Sequence, residues 1–204
     1  APMIEKQIPI LILITLAASA CLADESPNTF FHRLSAAAIE RTSHTVQYDG
    51  AYRQIDYPNG DVPDHIGVCT DVIIRAYRAC GVDLQKRVHE DMRENFDAYP
   101  NIWGLERPDS NIDHRRVPNL QTFFRRQGAA LPVSEDASAY RPGDLVTWML
   151  PGNLPHIGIV IDKRSAFGRR PLIVHNIGAG PEMDDVLFEF PITGHYRYAA
   201  GDGE

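Results

Sequence analysis

Apolar positions recur at helical spacing in three stretches of the chain. Over residues 30–41, Phe31, Leu34 and Ala38 fall on one side, the spacing of a helix that buries a single face. Over 70–80, Val72, Ile73, Ala76, Tyr77 and Cys80 form a stripe, and Gly81 follows where a left-handed residue ends a helix. Arg75 and Arg78 stand near that helix's last turn, where they suit its dipole. A third helix is predicted over 118–127, opened by Pro118, with Leu120, Phe123 and Phe124 on one face and Gly128 closing it. Residues 45–67 carry turn signals (Asp49-Gly50, Pro58-Asn59-Gly60-Asp61, Gly67) and read as an ordered loop. Residues 86–116 are polar and read as irregular, anchored by Trp103. After Leu131-Pro132 the period changes to two. Strands are predicted over 144–149, 156–161, 172–177, 186–190 and 195–198, separated by Gly/Pro turns. Helices first and strands later predict an α+β fold, with N-terminal helices packed on a C-terminal antiparallel sheet or small open barrel.

The first 23 residues follow a different pattern. Ala1-Pro2 ahead of Met3 reads as a cloning remnant, Lys6 supplies a short positive region, and residues 8–18 are an apolar run. Ala18-Ser19-Ala20 and Cys21 precede the polar stretch Asp24-Glu25-Ser26, the order of a secretory signal peptide. Eleven helical residues reach about 16 Å, short of the ~30 Å hydrocarbon core, so no permanent membrane span is expected. Cys21 after Ala20 also resembles a bacterial lipobox, with Ala18 where leucine is usual, and would then carry a lipid anchor. Either way the protein is expected outside the cytosol, periplasmic or secreted, with residues 24–204 forming one domain.

Composition narrows the function classes. A net charge of −7 argues against a protein that coats nucleic acid or anionic lipid. With 44% apolar residues the chain has enough to bury a core. Of 3 cysteines, Cys21 belongs to the leader. Cys69 and Cys80 on one helix would lie about 16 Å apart, too far for a disulfide. A free thiol in an exported protein asks for a reason.

Cys69 falls at the start of the second predicted helix, where partial positive charge and free N–H groups favour a thiolate. Cys80 continues the apolar stripe and is expected to be buried and inert. His156 opens the strand Leu154-Pro155-His156-Ile157-Gly158-Ile159-Val160, and His175 ends the next, Leu172-Ile173-Val174-His175-Asn176. A hairpin turning near Phe167-Gly168 would set the two rings side by side. A thiol nucleophile needs a base, and the base a third group to hold its ring. His175 and Asn176 compete for that third place, and alternation points them to opposite faces. Asp113-His114-Arg115-Arg116 reads as a solvated charge run, as a clamp for substrate carboxylates, or as an ion pair locking the loop. Neither CxxC nor HExxH is present, so no metal site is expected from His65, Cys69 or His89-Glu90-Asp91.

These residues carry a family resemblance. Gly67-Val68-Cys69-Thr70-Asp71-Val72-Ile73 is similar to the cysteine-bearing helix of NlpC/p60-type cell-wall peptidases. Pro142-Gly143-Asp144-Leu145-Val146 resembles their PGD strand, Pro155-His156-Ile157-Gly158-Ile159-Val160 their histidine strand, and Leu172-Ile173-Val174-His175 the strand of the third residue. A fuller match, extending to Asn111–Leu120, His175–Gly180 and Ile192–Tyr198, is to an exported bacterial family catalogued as domain of unknown function 1287. The resemblance implies a papain-like fold, Cys69 as nucleophile, His156 as base and His175 as the orienting residue. It departs at Val68-Cys69-Thr70-Asp71, where those peptidases read Asp-Cys-Ser-Gly, so Asp71 is expected to hold the loop or cap the helix. The expected activity is cysteine hydrolysis of amides in peptidoglycan stem peptides, without a cofactor. The Cys69 backbone N–H would serve as oxyanion donor, and Asp113, His114, Arg115 and Arg116 as substrate contacts. An acyltransferase or deamidase of the same fold, and a non-catalytic wall-binding module, are the rival readings.

Overall fold

The computed structural model of the chain describes residues 27–200, so the leader expected over 1–23 and Cys21 lie outside the described residues. Helix α1 (Pro27–Arg41) and helix α2 (Cys69–Ala79) pack against each other and against the sheet. Every residue of α2 from Cys69 to Tyr77 is buried, which explains why its apolar stripe is so wide. Val68 precedes it and has no side-chain oxygen to cap the first turn. Asp71 supplies one instead, its Oδ2 accepting the Val68 N–H at 2.7 Å. The far end closes at Gly81, whose φ of 83° lets Val82 N–H return to the Tyr77 carbonyl at 3.0 Å. Between α1 and α2 the chain runs as a loop. Strands β1 (Gln47–Tyr48) and β2 (Ile66–Gly67) pair in parallel across it.

The region expected to be irregular from residue 86 onward contains helix α3 (Leu84–Glu94). Asp83 caps it through Lys86 N–H, and Leu84, Val88 and Met92 form a buried i, i+4, i+8 stripe. The stripe is one residue wide, and charged residues such as the Lys86–Glu90 pair cover the rest, so polar composition concealed it. Trp103, expected as an anchor, is 37% exposed. Helix α4 (Val117–Arg126) has Pro118 in its first turn and ends at Gly128, as the sequence predicts.

Strands β3 (Ala130–Leu131), β4 (Leu145–Leu150), β5 (Leu154–Arg164), β6 (Pro171–His175), β7 (Glu182–Asp184) and β8 (Ile192–Tyr196) form one antiparallel sheet in the order β3-β8-β4-β5-β6-β7. The sheet is open, not a closed barrel. Alternation divides it cleanly. Leu145, Ile157, Ile159, Ile161 and Val174 face the helices, while Val146, Trp148, Val160 and Ile173 form a second cluster behind the sheet. The strand expected over 186–190 is a turn instead. Its Leu187 is buried in the second cluster, and its carbonyl accepts the Trp148 indole N–H at 3.0 Å. Strands β3 and β7 are not predicted; β7, three residues long, pairs with β6, and its Met183 packs on the main core.

Candidate active site

Cys69 is the first residue of α2, which points its N-terminus at the start of β5. The backbone N–H groups of Ile157, Thr70 and Cys69 favour the anion of its sulfur. Ile157 follows His156, so the thiol is seated against the backbone of the histidine strand. The residue is 5% exposed. Burial pushes the thiol up to about 12, outweighing the three N–H groups, and the nearby Asp71 charge adds to the rise. This corrects the sequence-based expectation of a resting thiolate. A helix start favours the anion, but desolvation wins here and the resting thiol is neutral. Cys80, expected to be the buried one, is the less buried of the two, and neither is in a disulfide.

His156 and His175 come into direct contact. His156 Nε2 lies 2.9 Å from His175 Nδ1, with the rings edge-on at 80°. His175 Nε2 in turn lies 3.2 Å from Asp184 Oδ2 on β7. Gly158 makes this approach feasible. A Cβ there would fall 2.6 Å from Ile173 Cγ2 and 3.2 Å from His175 Cβ, so any side chain would push β6 and its histidine away. The contacts assign the tautomers. An ionised Asp184 only accepts, so His175 carries its proton on Nε2 and offers a lone pair at Nδ1. His156 then carries its proton on Nε2, and its Nδ1 is left as a bare acceptor. Burial, with His175 beside it, pushes His156 down to about 3. His175 is also lowered by burial, against the opposing pull of Asp184. Both rings are therefore neutral at pH 7. Asn176, the rival for the third place, turns elsewhere. Its Oδ1 accepts Gly178 and Gly180 N–H at 3.0 and 3.3 Å and folds the turn after β6.

The four residues expected to contact substrate separate into two groups. Arg115 is turned inward, its side chain 2% exposed. Nε and Nη2 donate to the two oxygens of Asp71 at 2.9 Å each, and Nη2 also reaches the Asp49 carbonyl at 3.3 Å. Its fork is filled by protein acceptors, so the expectation of a carboxylate clamp gives way to that of an ion-paired lock. His114 is 2% exposed, and burial, with Arg115 and Arg78 nearby, pushes it down to about 3. It too is a packed residue, not a substrate contact. Asp113 and Arg116 instead line a cavity with Trp103, over whose ring the Arg116 guanidinium stacks at 4.1 Å.

Several residues of the site carried no decisive sequence signal. Asp184 sits in a segment with no apolar alternation. Tyr48, half-exposed on β1, lies near the thiol: partial burial and the neighbouring Cys69 and Asp71 push its phenol up to about 12. Gly158 was visible as part of the histidine motif but not as the gap that admits His175. Among the described residues, no three His, Cys, Asp or Glu side chains are grouped to hold a metal ion.

A thiol at a helix start, set against a strand whose histidine contacts a second histidine and then a carboxylate, makes this an α+β protein with a candidate cysteine–histidine site. The chain matches Domain of unknown function (DUF1287) over residues 35–198 and belongs to that family. It is 53% identical over 165 residues to "Uncharacterized protein YijF" of Escherichia coli (strain K12), spanning 81% of this chain and 80% of that protein. Among solved structures it is similar to NlpC1 of Trichomonas vaginalis, at 14% identity, 86% of this chain and a TM-score of 0.45. NlpC2 of the same organism matches at 15% identity, 82% of this chain and a TM-score of 0.43. The chain spans 46% of the length of each of these two structures.

Proposed function

We propose that the protein is an exported cysteine hydrolase that cleaves an amide bond in peptidoglycan stem peptides. The observation that carries the chemistry is the run of contacts from Asp184 through His175 to His156; the tautomers assigned from it leave His156 Nδ1 free to take a proton. The substrate class is supported by the likeness of the cysteine, PGD and histidine segments to cell-wall peptidases. In this reading the Cys69 Sγ–H proton passes to His156 Nδ1 as sulfur attacks the amide carbonyl. The tetrahedral oxyanion is met by the Cys69 backbone N–H. The same Nδ1–H then protonates the leaving amine as the C–N bond breaks. A water deprotonated by His156 opens the thioester, releasing a carboxylate and restoring the thiol. Burial keeps sulfur and imidazole uncharged until substrate arrives, so proton transfer accompanies attack.

The test is digestion of purified peptidoglycan by wild-type and Cys69→Ala protein, with released fragments read by mass spectrometry. New amine and carboxylate termini from wild type alone support the reading. Fragments bearing an added acceptor amine would replace hydrolysis by transfer. Wall binding retained by Cys69→Ala, with no fragments from either protein, would make it a binding module. Export is tested separately by the mass of the mature N-terminus, which also tells a lipid-bearing Cys21 from a free cut.

A further inference from the structure

The cavity lined by Asp113, Arg116 and Trp103, about 270 Å³, opens between α3, the 96–105 segment and the start of α4. None of Cys69, His156, His175 or Asp184 lines it. Pockets for drug-sized ligands run to roughly 300–1,000 Å³, so this one suits something the size of an amino acid. Its walls are mixed, with Phe96, Trp103 and Leu105 set beside charged and amide side chains.

Its polar lining is incomplete. Asp113 and Asn119 are each 1% exposed, yet Asp113 Oδ1 and Asn119 Oδ1 have no hydrogen-bond partner. Arg116 Nη1 is buried and likewise lacks one. The other atoms of these groups are occupied. Asp113 Oδ2 accepts the Asp109 N–H, and Asn119 Nδ2 donates to the Asp113 carbonyl at 3.1 Å. Arg116 Nη1 and Asp113 Oδ1 are held 3.7 Å apart, too far to satisfy each other directly. Buried polar atoms are rarely left unpaired, because each has given up its hydrogen bonds to water. Three residues of the lining thus carry two unpaired acceptors and one unpaired cationic donor, closed off from solvent as the lining stands and reached by a ligand only if these side chains turn toward it. Asp97 stands exposed at the rim, which disfavours a polyanion.

We infer that this cavity binds the free α-ammonium and carboxylate head of an amino acid, as the free molecule or as the unlinked side-chain centre of a diaminopimelate residue in a peptide. The ammonium meets Asp113 Oδ1 and Asn119 Oδ1, the carboxylate meets Arg116 Nη1, and an aliphatic side chain lies against Trp103 and Leu105. One head group of this kind carries donor and acceptor a single carbon apart, which matches acceptors and donor set side by side. The inference does not rest on the hydrolase reading, because it is tested by binding and not by turnover.

The experiment is calorimetric titration of the wild-type protein with D-alanine, L-leucine and meso-diaminopimelate, each beside its N-acetylated and C-amidated form. Saturable binding of at least one free amino acid is expected at about 1 mM or tighter. Either cap should weaken it by about tenfold or more, the loss of one charged hydrogen bond. Asp113→Asn and Arg116→Gln should each reproduce the loss. Asp113→Asn keeps an oxygen for the Asp109 N–H, and if it nevertheless unfolds, Arg116→Gln decides. A stem tripeptide ending in diaminopimelate, titrated in parallel, identifies the source by which form binds more tightly. No saturable binding by any probe, or binding that survives both caps or both substitutions, overturns the inference.

Discussion

Arg115 and Asp71 grip each other through two hydrogen bonds of 2.9 Å although 44 positions separate them in sequence. Their side chains are 2% and 4% exposed, so neither charge has water to fall back on. Asp71 also secures the residue before Cys69 through the Val68 N–H, and Thr70 Oγ1 donates to the Arg115 carbonyl at 3.1 Å. The pair therefore ties the start of the cysteine helix to the 113–116 segment. Arg115→Ala or Asp71→Ala should cost about 3–5 kcal/mol, because each strands the opposite charge. Replacing both together with apolar residues of similar size should cost clearly less than the sum. Urea melts of the three variants check this, and simple additivity would deny the coupling.

Alkylation should separate Cys69 and Cys80 in an order that helix position alone does not suggest. With its thiol pushed up to about 12 and 5% exposed, Cys69 should react slowly with iodoacetamide at pH 7, and its rate should climb steadily through pH 9. Cys80, less buried, should be labelled first. Peptide mapping after timed quenching reads both. A Cys69 rate already level between pH 6 and 8 would mean a preformed thiolate and a different resting state.

The relay from Asp184 fixes which nitrogen of His156 is bare. Nitrogen NMR of labelled imidazoles should find His156 protonated on Nε2 with Nδ1 unprotonated at pH 7. Asp184→Asn, whose amide can also donate, should scramble that preference at His175. In a turnover assay His156→Ala should lose at least about a hundredfold, the usual reach of general acid–base catalysis. Asp184→Asn should lose less, because its effect passes through His175. An Nδ1-protonated His156 in the wild type would break the proposed proton path.

Gly158 is predicted to tolerate no side chain. An added Cβ at 2.6 Å from Ile173 Cγ2 must displace β6 or unseat the ring beside it. Gly158→Ala should lower stability by about 1–3 kcal/mol, the usual range for overpacking a filled core. It should also perturb the His156–His175 contact, seen as altered imidazole shifts. A variant with unchanged melting and unchanged shifts would show that the strand yields freely.

Acid should loosen the fold through its buried histidines. His114 and His156 are both pushed down to about 3 from an ordinary 6.5, so between those values the unfolded chain takes up protons that the folded one refuses. Stability falls as pH drops from about 6.5 toward 3, by up to about 1.4 kcal/mol per pH unit for each histidine. Above 6.5 both are neutral in either state and add no slope. Asp113 opposes this, since burial pushes it up to about 6 and it gains its proton first in the folded state. His114→Gln should flatten the acid slope by about one proton in urea titrations from pH 7 to 4. An unchanged slope would place the proton uptake elsewhere.

Much of this architecture is written locally in the chain. Wide apolar stripes with glycine stops marked α2 and α4, and period-two runs marked β4, β5 and β6, because those elements bury a whole face. What escaped was held by pairing or capping. The α3 helix buries one narrow stripe, and β7 exists through its register with β6. The cysteine and two histidines were legible because scarce residue types fell at a helix start and on adjacent strands. Asp184 was not, since an aspartate in a polar stretch looks like any solvated charge. The inward turn of Arg115 was equally hidden, as only the fold brings Asp71 to meet it.

Strand β7 is also the sheet's outer boundary, three residues long, with Glu182 and Asp184 flanking Met183. An exposed boundary strand invites a neighbouring molecule to add its own strand, and short length and carboxylates discourage this. Asp184, with 42% of its side chain in solvent, therefore holds two positions at once. It ends the histidine relay and it sets a charge on the sheet's open edge. Substitutions that remove its charge to probe the relay should be checked for self-association, because they also bare an edge of the sheet.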